Sequence, residues 1–336
     1  MCKNYQVIFT EKSRVEVQEV AMPEMGPNQV LIETEVSQIS TGTELTMLEA
    51  NVDEDSPWHQ NIKFPNFPGY SNVGKIIQVG ENVDTSLLGK RVYSSGKHTK
   101  YAVVNADTVA LIPDDVDSEE AVFASLATVA MGSIRIADIR PSDTVVVYGA
   151  GIIGQMLARL AKIAGAGHVF VTDVSDYRLS MLPQDACFHK VNTTKEDVVA
   201  TLKSCGKKEL ARIVFESTSV PSLIAKELLC LQPLGRLIIT SSPKGKSTVD
   251  FDFVNRQGIT IIGAHNVKVH PPVATPANPW TIIADKRNFM DLLSQKEITT
   301  KHLNTHKEHY TQAPRLYEML MKDRTQAMSV LLDWRD

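Results

Sequence analysis

The 336-residue sequence predicts an α/β protein: an open, doubly wound parallel sheet behind a β-rich N-terminal domain. Three observations carry this. Apolar strands alternate with helical segments from Thr144 to about His265. The first third is a series of short runs rich in Val, Ile and Tyr, cut by Pro, Gly and Asn turns. Gly149-x-Gly151-x-x-Gly154 lies between the first strand of the alternation and the helix after it. Single cores rarely grow past about 250–300 residues, so the length implies two domains.

The strands expected in the first third are "YQVIFT", "VLIETEVSQI", "GKIIQVG", "KRVYSS" and "TKYAVVN", arranged as a small antiparallel barrel or sandwich. At "DSEEAVFASLATVAMGSIRIADI" the period becomes helical, with Asp117 or Ser118 as cap and Glu119 and Glu120 in the first turn. The alternating part then runs "TVVVYG", "GQMLARLAKIAG", "HVFVTD", "DYRLSML", "ARIVFEST", "PSLIAKELLCL", "GRLIITS" and "ITIIGAH". A Pro-rich excursion, "VKVHPPVATPANPW", precedes helices near "NFMDLLSQKE" and "QAPRLYEMLMKDR". The expected division is 1–121 and 267–336 for the β-rich domain and 122–266 for the nucleotide domain.

Composition narrows the function. With 43% hydrophobic and 22% charged residues and a net charge of −4, the chain offers no basic surface for nucleic acid. Its longest apolar runs fall short of a membrane span, and "MCKNYQVIFTEKS" has no apolar signal core, so a cytoplasmic location is expected. Cys2, Cys187, Cys205 and Cys230 are scattered singly, without the Cys-x-x-Cys spacing of a zinc knuckle or redox dithiol, and are expected to be free and mostly buried.

In the glycine motif, Gly149 allows a tight turn, Gly151 lets the backbone approach a pyrophosphate, and Gly154 lets helix and strand pack closely. The helix N-terminus adds free N–H groups and the positive end of its dipole. Asp173 closes the next strand, 19 residues past Gly154. A carboxylate there accepts both ribose hydroxyls of an adenosine and repels a 2′-phosphate, so NAD is favoured over NADP. Arg178 either stacks on the adenine or stays solvated.

Taken together, "MPEMGPNQVLIETEVSQISTGTEL", "FPGYSNVGKIIQVGENV" and "SDTVVVYGAGIIGQMLARLAKIAGAGHVFVTDVSDYRL" resemble the medium-chain dehydrogenase/reductase superfamily along most of the chain. The resemblance implies a Rossmann domain, a GroES-like catalytic domain built from both chain ends, and nicotinamide hydride chemistry in a cleft between them. Ile152, Ile153, Val174, Ser217, Thr218, Thr128, Ser241 and His265 complete the expected cofactor contacts.

Zinc-dependent members carry Cys-Gly-Thr-Asp and Gly-His-Glu where this chain has Thr41-Gly42-Thr43-Glu44 and Gly69-Tyr70-Ser71, and a third ligand would fall near Ser125. The four-cysteine lobe is absent. Zinc needs three ligands of Cys, His or carboxylate type even in an open site, so no metal is expected. "ISTGTE" with "PGYSNVG" is similar to a zinc-free branch that includes bacteriochlorophyllide-type dehydrogenases. The resemblance aims four side chains at the cleft: Tyr70, in the lost histidine's position, as partner of the substrate oxygen; Thr43 as a proton relay; and His98 or His265 as the base. Packed or structural roles compete for Tyr70 and both histidines. Tyr70 as an acid/base requires its pKa to fall from about 10. Glu44 reads as a structural acid. His302, His306 and His309 lack the partners of a metal site.

The leading expectation is an NAD-dependent, zinc-independent oxidoreductase acting on a secondary alcohol or ketone of a polar small molecule: a sugar, cyclitol or biosynthetic intermediate. A zinc-free quinone or enoyl-type reductase is the rival, disfavoured by Asp173 because such relatives mostly use NADPH. A non-catalytic nucleotide-binding protein is the alternative from another class. The apolar edge strand "GITIIGAH" predicts a homodimer, with the Pro-rich stretch 271–279 as a competing cover.

Overall fold

The computed structural model describes residues 3–55, 57–205 and 209–335. The chain forms two compact units, Met1–Ser125 with Ile283–Asp336, and Leu126–Ile282. Cys2 lies outside the described residues.

In the first unit, β1 (Asn4–Glu11) and β2 (Arg14–Val20) form an antiparallel hairpin. A larger sheet is built from β3 (Gln29–Ile39), β4 (Asn72–Val79), β5 (Arg91–Ser94), β6 (Tyr101–Asn105) and β7 (Ala110–Leu111). Its inner face buries Val30, Ile32, Ile76 and Val92 completely. These are β-branched residues suited to a pleated, covered surface.

The second unit carries β8 (Thr144–Tyr148), β9 (His168–Asp173), β10 (Phe188–Asn192), β11 (Ala211–Glu216), β12 (Leu231–Ile239) and β13 (Thr260–Gly263). They lie in the order β10-β9-β8-β11-β12-β13, every neighbouring pair parallel. Strand order reverses between β8 and β11. In doubly wound sheets this is where the loops at the carboxyl ends part and ligands bind.

The chain then returns to the first unit. There β14 (Asn304–His309) and β15 (Ser329–Asp333) extend the larger sheet, β15 running antiparallel to β3 with Val330 opposite Ile39. Both chain ends therefore build the β-rich unit.

Three expectations are corrected. The single helix from Asp117 is two, Ser118–Ala121 and Ala124–Ala137. The nucleotide unit ends at Ile282 rather than 266, because the segment after β13 packs on the Ala124–Ala137 helix. A Cβ on Gly132 would meet Val269 at 2.7 Å and His270 at 2.8 Å, and the Arg135 guanidinium lies 4.0 Å over the Trp280 ring. Among the described cysteines only Cys230 is buried; Cys187 and Cys205 are half-buried. No helix among the described residues is long and apolar enough to cross a membrane.

Candidate cofactor and catalytic sites

The loop after β8 is shaped by its glycines. Gly149 has φ +94, a region that L side chains rarely adopt. A Cβ on Gly154 would sit 1.8 Å from the Gly149 carbonyl oxygen, so only glycine lets the helix Ile152–Ile163 start this close to the strand. A Cβ on Gly151 would meet nothing within 4 Å: the space before the helix is open. The N–H groups of Ile152, Ile153 and Gly154, in the first turn, have no helical carbonyl to bond and face an anion-favouring dipole.

Asp173 ends β9 beside this loop and is 9% exposed. Its Oδ2 accepts the Ala150 N–H at 2.8 Å and its Oδ1 the Ser175 N–H at 2.9 Å. A carboxylate has about four acceptor positions, so two remain for a ribose diol. Open cradle, free N–H groups and spare carboxylate capacity fit a dinucleotide. Val174 is exposed, and Arg178 is half-buried on the short helix Asp176–Ser180, its carbonyl accepting Gln155 Nε2 at 2.9 Å.

Across the switch point, Ser217 Oγ donates to the Tyr148 carbonyl at 2.6 Å. Glu216, fully buried at the end of β11, organises the loop beyond that strand. Its Oε1 accepts Thr218 N and Oγ1, both at 2.6 Å, and Ser219 N at 2.9 Å, and its Oε2 accepts Ser241 Oγ. Sequence reasoning points to Ser217, Thr218 and Ser241 but misses the acid that positions two of them. Its only sequence signal is an acidic residue ending an apolar strand before three hydroxyl residues. Thr128 is corrected: it is fully buried, with the Asn266 amide donating to its Oγ1 at 3.4 Å, and presents no surface to a cofactor. His265 is exposed at the N-cap of the helix Asn266–Val269 in this unit.

In the β-rich unit two of the residues at the expected zinc positions, Tyr70 and Ser125, take part in a hydroxyl cluster. The Tyr70 phenol donates to Ser40 Oγ at 2.5 Å and also hydrogen-bonds the Thr43 side chain. Tyr93 OH donates to the Tyr70 carbonyl at 3.0 Å and shares hydrogen bonds with Ser125 Oγ and, at 3.3 Å, Ser71 Oγ. Ser125 Oγ donates to that same carbonyl at 3.1 Å. Neutral hydroxyls already hydrogen-bonded to one another, with no thiolate, imidazole or carboxylate, do not fit a zinc site. Burial pushes the Tyr70 phenol above its usual pKa, the opposite of what a tyrosine acid/base requires, and raises Tyr93 to about 12.

His98 is corrected as well. It is fully buried, its Nδ1 bonded to Ser37 Oγ at 2.7 Å and its Nε2 to Glu44 Oε2 at 3.1 Å. Trp334 Nε1 donates to the same Ser37 Oγ at 2.8 Å, and Tyr317 OH to Glu44 Oε2. With both ring nitrogens engaged, His98 offers a substrate no proton acceptor. Glu44, 2% exposed, also accepts Ser40 N at 3.2 Å and is the structural acid expected. His306 and His309 lie on β14 at an odd separation, hence on opposite faces, and bond Thr305 and Thr311.

The fold thus defines a two-unit α/β protein with a Rossmann sheet. Residues 153–277 match the family model described as zinc-binding dehydrogenase. That segment lies in the nucleotide unit and includes none of positions 41, 70 and 125. An L-threonine 3-dehydrogenase of Anaeromyxobacter sp. (strain K) is 28% identical over 284 residues, spanning 75% of this chain and 80% of the relative. Two solved structures share the fold. A short chain alcohol dehydrogenase of Escherichia coli CFT073 complexed with NADH has a TM-score of 0.83 at 18% identity, over 98% of this chain and 99% of that one. A Sinorhizobium meliloti dehydrogenase bound to NADP has 0.80 at 18%, over 99% and 100%. By these comparisons the chain is similar to dehydrogenases over 75% of its length.

Proposed function

We propose that this protein is a zinc-independent dehydrogenase that transfers a hydride between NAD(H) and a secondary alcohol or ketone of a polar small molecule. The observation that carries the reading is Asp173, held at the mouth of the glycine loop by Ala150 N at 2.8 Å with acceptor capacity to spare. Its charge favours a ribose diol and disfavours a 2′-phosphate. Gly151 and the N–H groups of Ile152, Ile153 and Gly154 hold the pyrophosphate, while Ser217, Thr218 and Ser241, two of them fixed by Glu216, line the switch point. The nicotinamide supplies the hydride acceptor. Relatives named as dehydrogenases support the chemistry.

Zinc independence rests on the donors at positions 41, 70 and 125, which are Thr, Tyr and Ser. Tyr70, with a raised pKa, holds its proton, and its single O–H, given to Ser40 Oγ in the free protein, turns to the substrate oxygen when substrate binds. Thr43 and Ser40 orient the phenol. A cytoplasmic homodimer completes the reading: among the described residues β13 pairs only with β12, and its other edge is proposed to take a symmetry mate. Sedimentation at micromolar concentration is expected to give a dimer; a monomer contradicts that part. The reading itself is tested by titrating the protein with NADH and NADPH and following NADH formation over a panel of sugars and cyclitols. Tighter NADPH binding, or no nicotinamide binding, overturns it.

A further inference from the structure

We propose that Lys286 is the proton-transfer residue of this site, an inference that rests on the dehydrogenase reading. Lys286 lies in the first turns of the helix Ile282–Ser294 and is 5% exposed. Its Nζ donates to Ser95 Oγ at 3.0 Å and stands 5.0 Å from the centre of the Tyr93 ring. The Tyr93 hydroxyl in turn meets Ser125, Ser71 and the Tyr70 carbonyl, so the amine joins the cluster that includes two of the expected zinc positions, 70 and 125. Ser95 is exposed and Tyr70 and Ser125 are half-buried, which opens the cluster to a substrate.

What distinguishes this lysine is its company. No carboxylate pairs with its ammonium among the described residues. Its partners are a neutral hydroxyl and an aromatic ring, on β5 and just beyond it. A buried cation without a counter-ion is expensive, and the ammonium relieves the cost by releasing its proton. Burial depresses its pKa to about 8. The other candidates are less suited: Tyr70 and Tyr93 are shifted away from neutrality, and His98 is enclosed.

In alcohol oxidation the substrate C–H bond breaks and its electron pair passes as hydride to the oxidised nicotinamide. The O–H proton passes to neutral Lys286 Nζ, and the carbon–oxygen double bond forms. The products are ketone, reduced nicotinamide and ammonium. In reduction the ammonium returns the proton to the oxygen. An acid/base near the working pH contributes about 10²–10⁴ in rate.

Two measurements test this. Competitive acetylation of the wild-type protein across pH, read by mass spectrometry, needs no turnover. Half-maximal reactivity of Lys286 near pH 8 is expected; a half-point with the surface lysines above pH 10 overturns the proposal. On an alcohol that the wild type oxidises, Lys286→Ala and Lys286→Arg are both expected to lose about 10²-fold or more in kcat at unchanged NADH affinity. Added methylamine should restore Lys286→Ala. Full activity in Lys286→Arg means the residue serves only as a fixed charge and overturns the proton-transfer role. Absence of any turnover in the wild type, with Lys286 titrating near 8, counts against the dehydrogenase reading instead.

Discussion

The carboxylate of Asp173 accepts the backbone N–H of Ala150 at 2.8 Å, tying the end of β9 to the glycine loop after β8. One residue thus fixes the loop and, in the proposed reading, receives the ribose diol. Asp173→Ser is expected to weaken NADH binding about 10–100-fold and to narrow the gap to NADPH, both measurable by cofactor fluorescence. Unchanged preference in the variant would remove Asp173 as the selector.

Tyr70→Phe deletes the hydrogen bond to Ser40 and the donor offered to the substrate oxygen, while the ring still fills its place. Turnover should fall about 10-fold or more with NADH affinity unchanged, because the loss is felt where charge develops on oxygen. Steady-state kinetics beside a cofactor titration separate the two effects. Equal kcat in variant and wild type would reduce Tyr70 to packing.

Glu227 is fully buried, and neither carboxyl oxygen has a partner. Burial, helped by Glu216, raises its pKa from 4.5 to about 9. Folded protein therefore keeps this proton between those values where unfolded chain has lost it. Stability must fall as pH rises across that window, by roughly 1.4 kcal/mol per unit and about 3 kcal/mol by pH 7, with no cost below pH 4.5. Glu227→Met should stabilise the protein at pH 8 and have little effect at pH 4.5, seen in urea unfolding at both. Identical pH slopes in variant and wild type would contradict this.

The glycine loop and its neighbouring carboxylate were legible because their determinants are local: a Gly-x-Gly-x-x-Gly spacing and an acid one strand on dictate a turn, a helix start and a carboxylate beside it. Lys286 was not, because its partner Ser95 stands 191 residues away and the two come together only when the returning chain packs on the β-rich unit. His98 was singled out by resemblance, yet Ser37 and Glu44, 61 and 54 residues away, engage both its ring nitrogens. The boundary near 266 moved to 282 for a similar reason, since side chains of the Pro-rich segment pack on Gly132 and Arg135. Short-range patterns encode backbone geometry, whereas burial of a single His or Lys depends on long-range packing.

The central claim is hydride transfer with NAD and no metal at positions 41, 70 and 125. The rate of NAD reduction by chelator-dialysed protein, with zinc content measured on the same sample, tests it most directly. Turnover undiminished at well below one zinc per chain is the expected result; loss of activity on chelation, restored by one equivalent of zinc, would contradict it.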